Sequence, residues 1–256
     1  MAYTLLAMSD AALLAAGQGV PLTKPITVSA AVSLTDSLTA VAEAYARTGA
    51  TVRFNFAASN VLARQIVNGA PVDVFVSADE AQMDVVAGAG LVAPGSRFDL
   101  VRNQLAVAVP NDRPRTLKGI GELTEPSFKR IAIGDPAAVP VGVYAKQYLE
   151  KEGLWTALQA RLVPTGSARA ALAAVESGAA DAAIVYRTDV RVARKATVAW
   201  VVPIDRGPRI VYPAAIVNTS ASAGESKRFL DFLRGDAAAR IFERFGFSIV
   251  SPAAKH

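Results

Sequence analysis

The chain has 256 residues, 52% of them hydrophobic, and a formal net charge of +5. This length and composition suffice for one large α/β domain, or for two lobes, with a substantial core. Cysteine is absent, which excludes disulfides, thiolate nucleophiles and zinc–thiolate sites. The single histidine is His256, so a Ser-His-Asp triad or a histidine-rich metal site would depend on a terminal residue. Most hydrolase and metalloenzyme sites are therefore disfavoured.

The positive charges are scattered along the chain and form no tract interleaved with aromatic residues. The sequence therefore gives little support for a nucleic-acid surface. A modest positive field of this kind helps to attract a small anion.

The N-terminal segment resembles the apolar core of a signal peptide only in part. Residues 3–20 are mostly apolar and end in small residues, but no Lys or Arg precedes Lys24, and Asp10 interrupts the apolar run. We interpret residues 1–24 as an N-terminal segment, either a signal remnant or an extension.

From Pro25 onwards the pattern predicts alternating strands and helices. The first units are strand 26–31 with helix 34–48, strand 51–57 with helix 60–68, and strand 72–76 before a helix capped by Ser77 or Asp79. Further strands are predicted at 105–109, 130–133, near 163, and at 182–186, 198–202 and 210–217. Further helices are predicted near 142–151, 166–178, 223–234 and 236–245.

This alternation favours α/β layers with mostly parallel pairing. The two strong strands 105–109 and 210–217 flank a central block, which indicates a second lobe inserted into the first, with these strands as crossovers. We predict a two-lobed α/β fold in which each lobe is a mostly parallel sheet flanked by helices. The predicted bounds are 25–104 and 214–256 for lobe 1, and 105–213 for lobe 2.

Two serines occupy equivalent places in the first two strand–helix units. Ser33 follows ITVSAAV and Ser59 follows VRFNFAA, and each precedes an amphipathic helix. Such a junction combines free backbone N–H groups, the positive end of a helix dipole and a neutral hydroxyl donor. Either serine alone is readily explained as a helix cap. Two such serines, each after small alanines that admit a ligand to the backbone, favour an anion site.

Three positions in the central block offer similar donors. Val141 lies in the turn GDPAAVPVG and offers a main-chain N–H next to Pro140, and Ala168 opens the helix that begins GSARAALAA. Tyr186 ends a buried strand, where its hydroxyl could face a cleft. Each also has a purely structural interpretation, as a rigid connection, a helix start or a strand-end tyrosine.

Several motifs, in this order, resemble the molybdate-binding proteins of bacterial ABC importers: AAVSLTDSL, FAASNVLARQI, GAPVDVFVSAD, GDPAAVPVGVYAK, IVYRTD and RIFERFGFSIV. The resemblance extends from about Ile26 to Val250. It implies a class II periplasmic-binding-protein fold that closes on molybdate or tungstate. The implied ligand contacts are two serine hydroxyls, two backbone N–H groups and one tyrosine hydroxyl, at Ser33, Ser59, Val141, Ala168 and Tyr186.

The resemblance also implies a binding protein rather than an enzyme. It implies no cofactor and no side-chain metal ligand, because the molybdenum is bound as an oxyanion. The implied partners are the small oxyanion and the membrane permease of an ABC importer, with no nucleic acid. The protein is expected to be a periplasmic monomer.

Other functions remain open at this point. The chain could bind another solute, such as sulfate, thiosulfate or an iron chelate, or form the effector-sensing domain of a transcription regulator, although no helix-turn-helix precedes Pro25. An enzyme acting on sulfate or phosphate esters would lack the usual histidine, cysteine or metal cluster. A site that only donates hydrogen bonds favours a fully deprotonated oxyanion over phosphate, whereas sulfate must be rejected by cavity size. The role of Arg187, beside Tyr186, is not assigned.

Overall fold

The computed structural model describes residues 25–250. The predicted N-terminal segment 1–24 lies outside the described residues. The first strands and helices within this range are β1 (Ile26–Ala31), α1 (Thr35–Ala46), β2 (Val52–Ala57), α2 (Ser59–Val67), β3 (Val74–Val76), α3 (Glu80–Gly88) and β4 (Phe98–Asn103). The middle of the chain forms β5 (Leu105–Pro110), β6 (Ile131–Gly134), α4 (Pro140–Lys151), α5 (Trp155–Leu158), β7 (Leu162–Thr165), α6 (Ala168–Glu176), β8 (Ala182–Tyr186), α7 (Arg187–Arg191) and β9 (Ala196–Val201). The last elements are β10 (Ile210–Ile216), α8 (Ala223–Arg234), α9 (Asp236–Arg244) and β11 (Ser248–Ile249).

These strands form two sheets. The first has six strands in the order β11-β4-β10-β3-β1-β2, and the second has five in the order β7-β6-β8-β5-β9. In both sheets the βα units place neighbouring strands in parallel, as β1 with β2 and β3, and β6 with β7 and β8. Parallel neighbours need a crossover connection, and the helices between these strands provide it.

Both sheets are mixed rather than mostly parallel in their pairing, which corrects the prediction in that respect. β10 runs antiparallel to β3 and β4, and β5 runs antiparallel to β8 and β9. Each of these two strands follows a passage of the chain from one sheet to the other. Alternation of strands and helices predicts the βα units but does not reveal the direction in which a strand enters a new sheet.

The chain passes between the sheets twice. The first passage is at Gln104, between β4 and β5, and the second is the segment 202–209 between β9 and β10. The passages therefore lie beside the predicted crossover strands and not within them. The lobe bounds stay a prediction, and the predicted boundary at residue 214 falls inside β10, which pairs only within the first sheet.

β5 shows why a short apolar run forms a central strand. Leu105, Val107 and Val109 pack into a large cluster that reaches both sheets. Ala106 and Ala108 point to the other face and pack against α6. Successive strand residues point to opposite faces, so LAVAV is buried on both sides.

Two strands of the first sheet, β4 and β11, were not predicted. The β4 sequence FDLVRN mixes apolar and charged residues, and it becomes a strand by pairing with β10 and β11. β10 contains Pro213, which cannot donate to a ladder, and the register with β4 shifts between Tyr212 and Pro213. Among residues 25–250, no helix has the length and apolar character needed to cross a membrane.

Candidate functional site

The five residues predicted to bind an oxyanion all line one pocket between the two sheets. Ser33 lies in a short 3-10 turn after β1, and Ser59 is the first residue of α2, after β2. Because β1 and β2 are parallel and in register up to Ala31 and Ala57, both serines reach the same sheet edge.

The other three predicted residues come from the second sheet. Val141 is the second residue of α4, Ala168 is the first residue of α6, and Tyr186 is the last residue of β8, just before α7. The N–H groups at the start of a helix have no partner within the helix. Val141 and Ala168 can therefore each offer a backbone N–H to the pocket.

The pocket is small and buried. The space open to the centre of a water-sized sphere measures about 20 Å³, whereas sites for drug-sized ligands measure roughly 300–1,000 Å³. The exposed fractions of the five predicted residues lie between 1% and 5%. The pocket therefore has room for a small ion and not for a large organic molecule.

Both serine hydroxyls already have a hydrogen-bond partner within the protein. The N–H of Ala78 donates to Ser59 Oγ at 2.9 Å, and Ser33 Oγ lies 3.0 Å from the hydroxyl of Tyr212. A serine that accepts through its oxygen keeps its own proton for another partner. At Ser59, the proton is thus free to point into the pocket.

Tyr186 carries a buried hydroxyl that has no hydrogen-bond partner among the described residues. Burial raises the pKa of this hydroxyl well above its usual range, so it remains a proton donor. An unpaired buried polar group is destabilising by about 1–3 kcal/mol. Such a group is consistent with a hydroxyl that is satisfied by a ligand.

The described residues that line this pocket are all uncharged: Ala31, Val32, Ser33, Ala58, Ser59, Ala78, Val139, Pro140, Val141, Ala168 and Tyr186. The positive potential comes instead from the N-termini of α2, α4 and α6, which begin at the pocket. A helix N-terminus carries roughly half an elementary positive charge. The arrangement suits an anion that accepts several hydrogen bonds.

An ion pair connects the two halves of the molecule beside the pocket. Arg169, next to Ala168 on α6, lies 2.5 Å from Asp36 on α1 and 2.7 Å from the buried Asp189 on α7. The contact with Asp189 is close but is not aligned as a hydrogen bond. Burial raises the pKa of Asp189 to about 6, and the charge of Arg169 opposes that rise. Sequence reasoning missed this cluster, because its residues are far apart in the chain.

Arg187 follows Tyr186 in the chain, but its charged side chain does not line the pocket. Arg187 is exposed and donates to Gln104 Oε1 at 3.2 Å. It lies at the first passage between the sheets.

A family comparison identifies the class of protein. The family model described as bacterial extracellular solute-binding protein matches residues 26–248. The chain belongs to this family. Its members bind solutes and are not enzymes, which confirms the prediction of a binding protein.

Curated relatives match most of this chain. The molybdate-binding protein ModA of Escherichia coli K12 is 38% identical over 229 residues, which is 88% of this chain and 89% of that protein. ModA of Haemophilus influenzae is 36% identical and covers 93% of this chain and 96% of its own length. A putative ABC transporter substrate-binding lipoprotein of Bacillus subtilis is 33% identical over 87% of this chain and 86% of its own length.

Solved structures confirm the architecture. The periplasmic molybdate-binding protein of Azotobacter vinelandii has a TM-score of 0.80 at 28% identity, covering 88% of this chain and 100% of its own. The substrate-binding domain of a putative molybdenum ABC transporter from Clostridium difficile has a TM-score of 0.70 at 32% identity, covering 89% of this chain and 99% of its own. The predicted periplasmic-binding-protein fold, with helices on two sheets, is therefore confirmed.

Proposed function

We propose that this protein captures molybdate in the pocket between its sheets and delivers it to the permease of an ABC importer. The observation that carries the proposal is a neutral, buried pocket supplied with hydrogen-bond donors from both sheets. Ser33, Ser59 and Tyr186 supply hydroxyl protons, and Val141 and Ala168 supply backbone N–H groups. The names of the relatives support molybdate as the ligand and an ABC transporter as the partner.

The finer features of the proposal follow from the same chemistry. Tungstate has the same tetrahedral shape and charge as molybdate, so the pocket is expected to accept both. The protein would act as a monomer in the periplasm, without nucleic acid and without a resident cofactor. The pocket would open between the lobes, and the ligand would hold them together because it contacts both.

Five donors can offset the burial of a dianion that has no counter-ion. A hydrogen bond to a charged group contributes roughly 1.5–3 kcal/mol. After the costs of ordering and desolvation, we expect a binding free energy of about −8 to −12 kcal/mol, which corresponds to micromolar to nanomolar affinity.

Donors alone also give selectivity. An oxyanion that carries a proton needs a hydrogen-bond acceptor for it. A pocket whose polar groups all donate hydrogen bonds offers no such acceptor. Phosphate at neutral pH should therefore bind poorly. Sulfate is fully deprotonated, and its rejection depends on the size of the pocket.

Calorimetric titration with molybdate, tungstate, sulfate and phosphate tests the proposal. We expect binding of the first two only, and at least a tenfold loss of molybdate affinity in Ser33→Ala and Ser59→Ala. Ser29→Ala is a matched control, because Ser29 is a buried serine on β1 that does not line the pocket. Binding of sulfate without molybdate would assign the protein to another solute, and unchanged affinity in both serine variants would remove those residues from the site.

A further inference from the structure

Tyr212 lies behind the pocket, between donors from the two sheets. It is fully buried in β10, and its hydroxyl is 3.0 Å from Ser33 Oγ. Its ring meets the ring of Tyr186 edge-on, with centroids 5.7 Å apart. Tyr212 is not one of the described residues that line the pocket, so it would act on a ligand only through its neighbours.

The direction of the hydrogen bond between Tyr212 and Ser33 is set by Asn103. The N–H of Gln104 donates to Asn103 Oδ1 at 2.9 Å, which fixes the orientation of the side-chain amide. Asn103 Nδ2 then donates to Thr188 Oγ1 at 2.8 Å and to the Tyr212 oxygen at 3.2 Å. An amide nitrogen only donates. The single proton of Tyr212 is therefore left for Ser33 Oγ.

This direction determines what Ser33 presents to the pocket. The Ser33 oxygen accepts from Tyr212, so the Ser33 proton is available to a ligand. Ser59 reaches the same state through a backbone donor, the N–H of Ala78. The two serines are thus both held as donors, one by the main chain and the other by a side chain that can be changed.

We propose that Tyr212 is a positioning and specificity-determining residue, which occupies the acceptor side of Ser33 so that the pocket offers only donors to an oxyanion. The inference rests on the proposed function, because it requires Ser33 to contact the ligand. Without the Tyr212 hydroxyl, the oxygen of Ser33 becomes free to accept a hydrogen bond from a protonated ligand. The protein would then bind molybdate more weakly and would discriminate less against protonated oxyanions.

Calorimetry on Tyr212→Phe tests this role, because the variant keeps the ring and removes only the hydroxyl. At neutral pH we expect molybdate affinity to fall about 3- to 10-fold, the net effect of one hydrogen bond. Phosphate affinity should fall less or rise, so that the ratio of molybdate to phosphate affinity decreases. Tyr148→Phe is the matched control, since Tyr148 is a buried tyrosine that is not among the residues lining the pocket, and it should change neither affinity.

A double-mutant cycle separates positioning from packing. If Tyr212 acts through Ser33, Tyr212→Phe should have no further effect on molybdate affinity in a Ser33→Ala background. An equal loss in both backgrounds, or an unchanged anion ratio, would overturn the inference. Unchanged molybdate affinity in Ser33→Ala alone would instead refute the proposed site.

NMR on the unsubstituted protein tests the direction of the hydrogen bond between Tyr212 and Ser33 without a variant. In an NMR spectrum, the Tyr212 hydroxyl proton should exchange slowly with water and show a nuclear Overhauser effect to the Ser33 β-protons. A Tyr212 proton directed towards Asn103 would contradict the inference.

Discussion

Gly142 allows the first turn of α4, which carries Val141, to pack against the end of β6. A Cβ added at this position would lie 2.1 Å from the carbonyl oxygen of Gly134 and 2.7 Å from that of Asp135, whereas ordinary contacts begin at 3.4 Å. The main chain must therefore move by about 1 Å or more to admit an alanine. Overpacking of this kind costs typically 1–3 kcal/mol, and the neighbour here is rigid backbone, so we expect Gly142→Ala to lose about 3 kcal/mol of unfolding free energy.

The same movement should displace the N–H of Val141. Loss of one hydrogen bond to a charged ligand is worth about 1.5–3 kcal/mol, or roughly a 10- to 100-fold loss of molybdate affinity. Urea denaturation and calorimetric titration measure the two effects. Gly224→Ala is the control, because a Cβ there meets nothing within 4 Å, and it should change neither quantity. A Gly142→Ala protein with the stability and affinity of the parent would refute the close-approach reasoning.

Three further predictions concern the pocket and the ion pair beside it. Tyr186→Phe should lower molybdate affinity at least tenfold in calorimetry without lowering the melting temperature, since it removes a buried hydroxyl that has no partner among the described residues; equal affinity would contradict this role. Asp36→Asn should lower the unfolding free energy by at most about 1 kcal/mol, because its contact with Arg169 is partly exposed, and the loss should vanish in 1 M salt; a difference that persists in salt would argue for another cause. Burial raises the pKa of Asp189 from 3.8 to about 6, so between pH 6 and 4 the folded protein takes up a proton before the unfolded chain does. Urea denaturation should therefore show the parent gaining up to about 3 kcal/mol relative to Asp189→Asn as the pH falls through this window, and a constant difference would be evidence against the shift.

The sequence was sufficient to predict the strand–helix junctions of the site. Ser33 and Ser59 follow β-branched strands and precede amphipathic helices, and this pattern is local, so it needs no knowledge of the sheet. The positions of Ala168 at a helix start and of Tyr186 at a strand end followed in the same way. Val141 was predicted in a turn before a helix near 142, and it is instead the second residue of α4. That all five residues line one pocket depended on the resemblance to a family, since no local pattern brings residue 33 next to residue 186.

The side-chain contacts around the pocket could not be predicted, because they join distant parts of the chain. Tyr212 is 179 residues from Ser33, and Arg169 is 133 residues from Asp36. The strand β4 was missed for a similar reason, as its residues form a ladder only against the distant strands β10 and β11. Strand formation depends on such neighbours more than helix formation does.

The most direct test of the central claim is the position of molybdenum in a crystal of the protein grown with molybdate. Anomalous scattering locates the metal without reference to any assumed site. We predict a single strong peak in the pocket, with its oxygens within hydrogen-bond distance of Ser33, Ser59 and Tyr186 and of the N–H groups of Val141 and Ala168. A peak elsewhere in an otherwise saturated protein, or no peak at all, would contradict the proposed function.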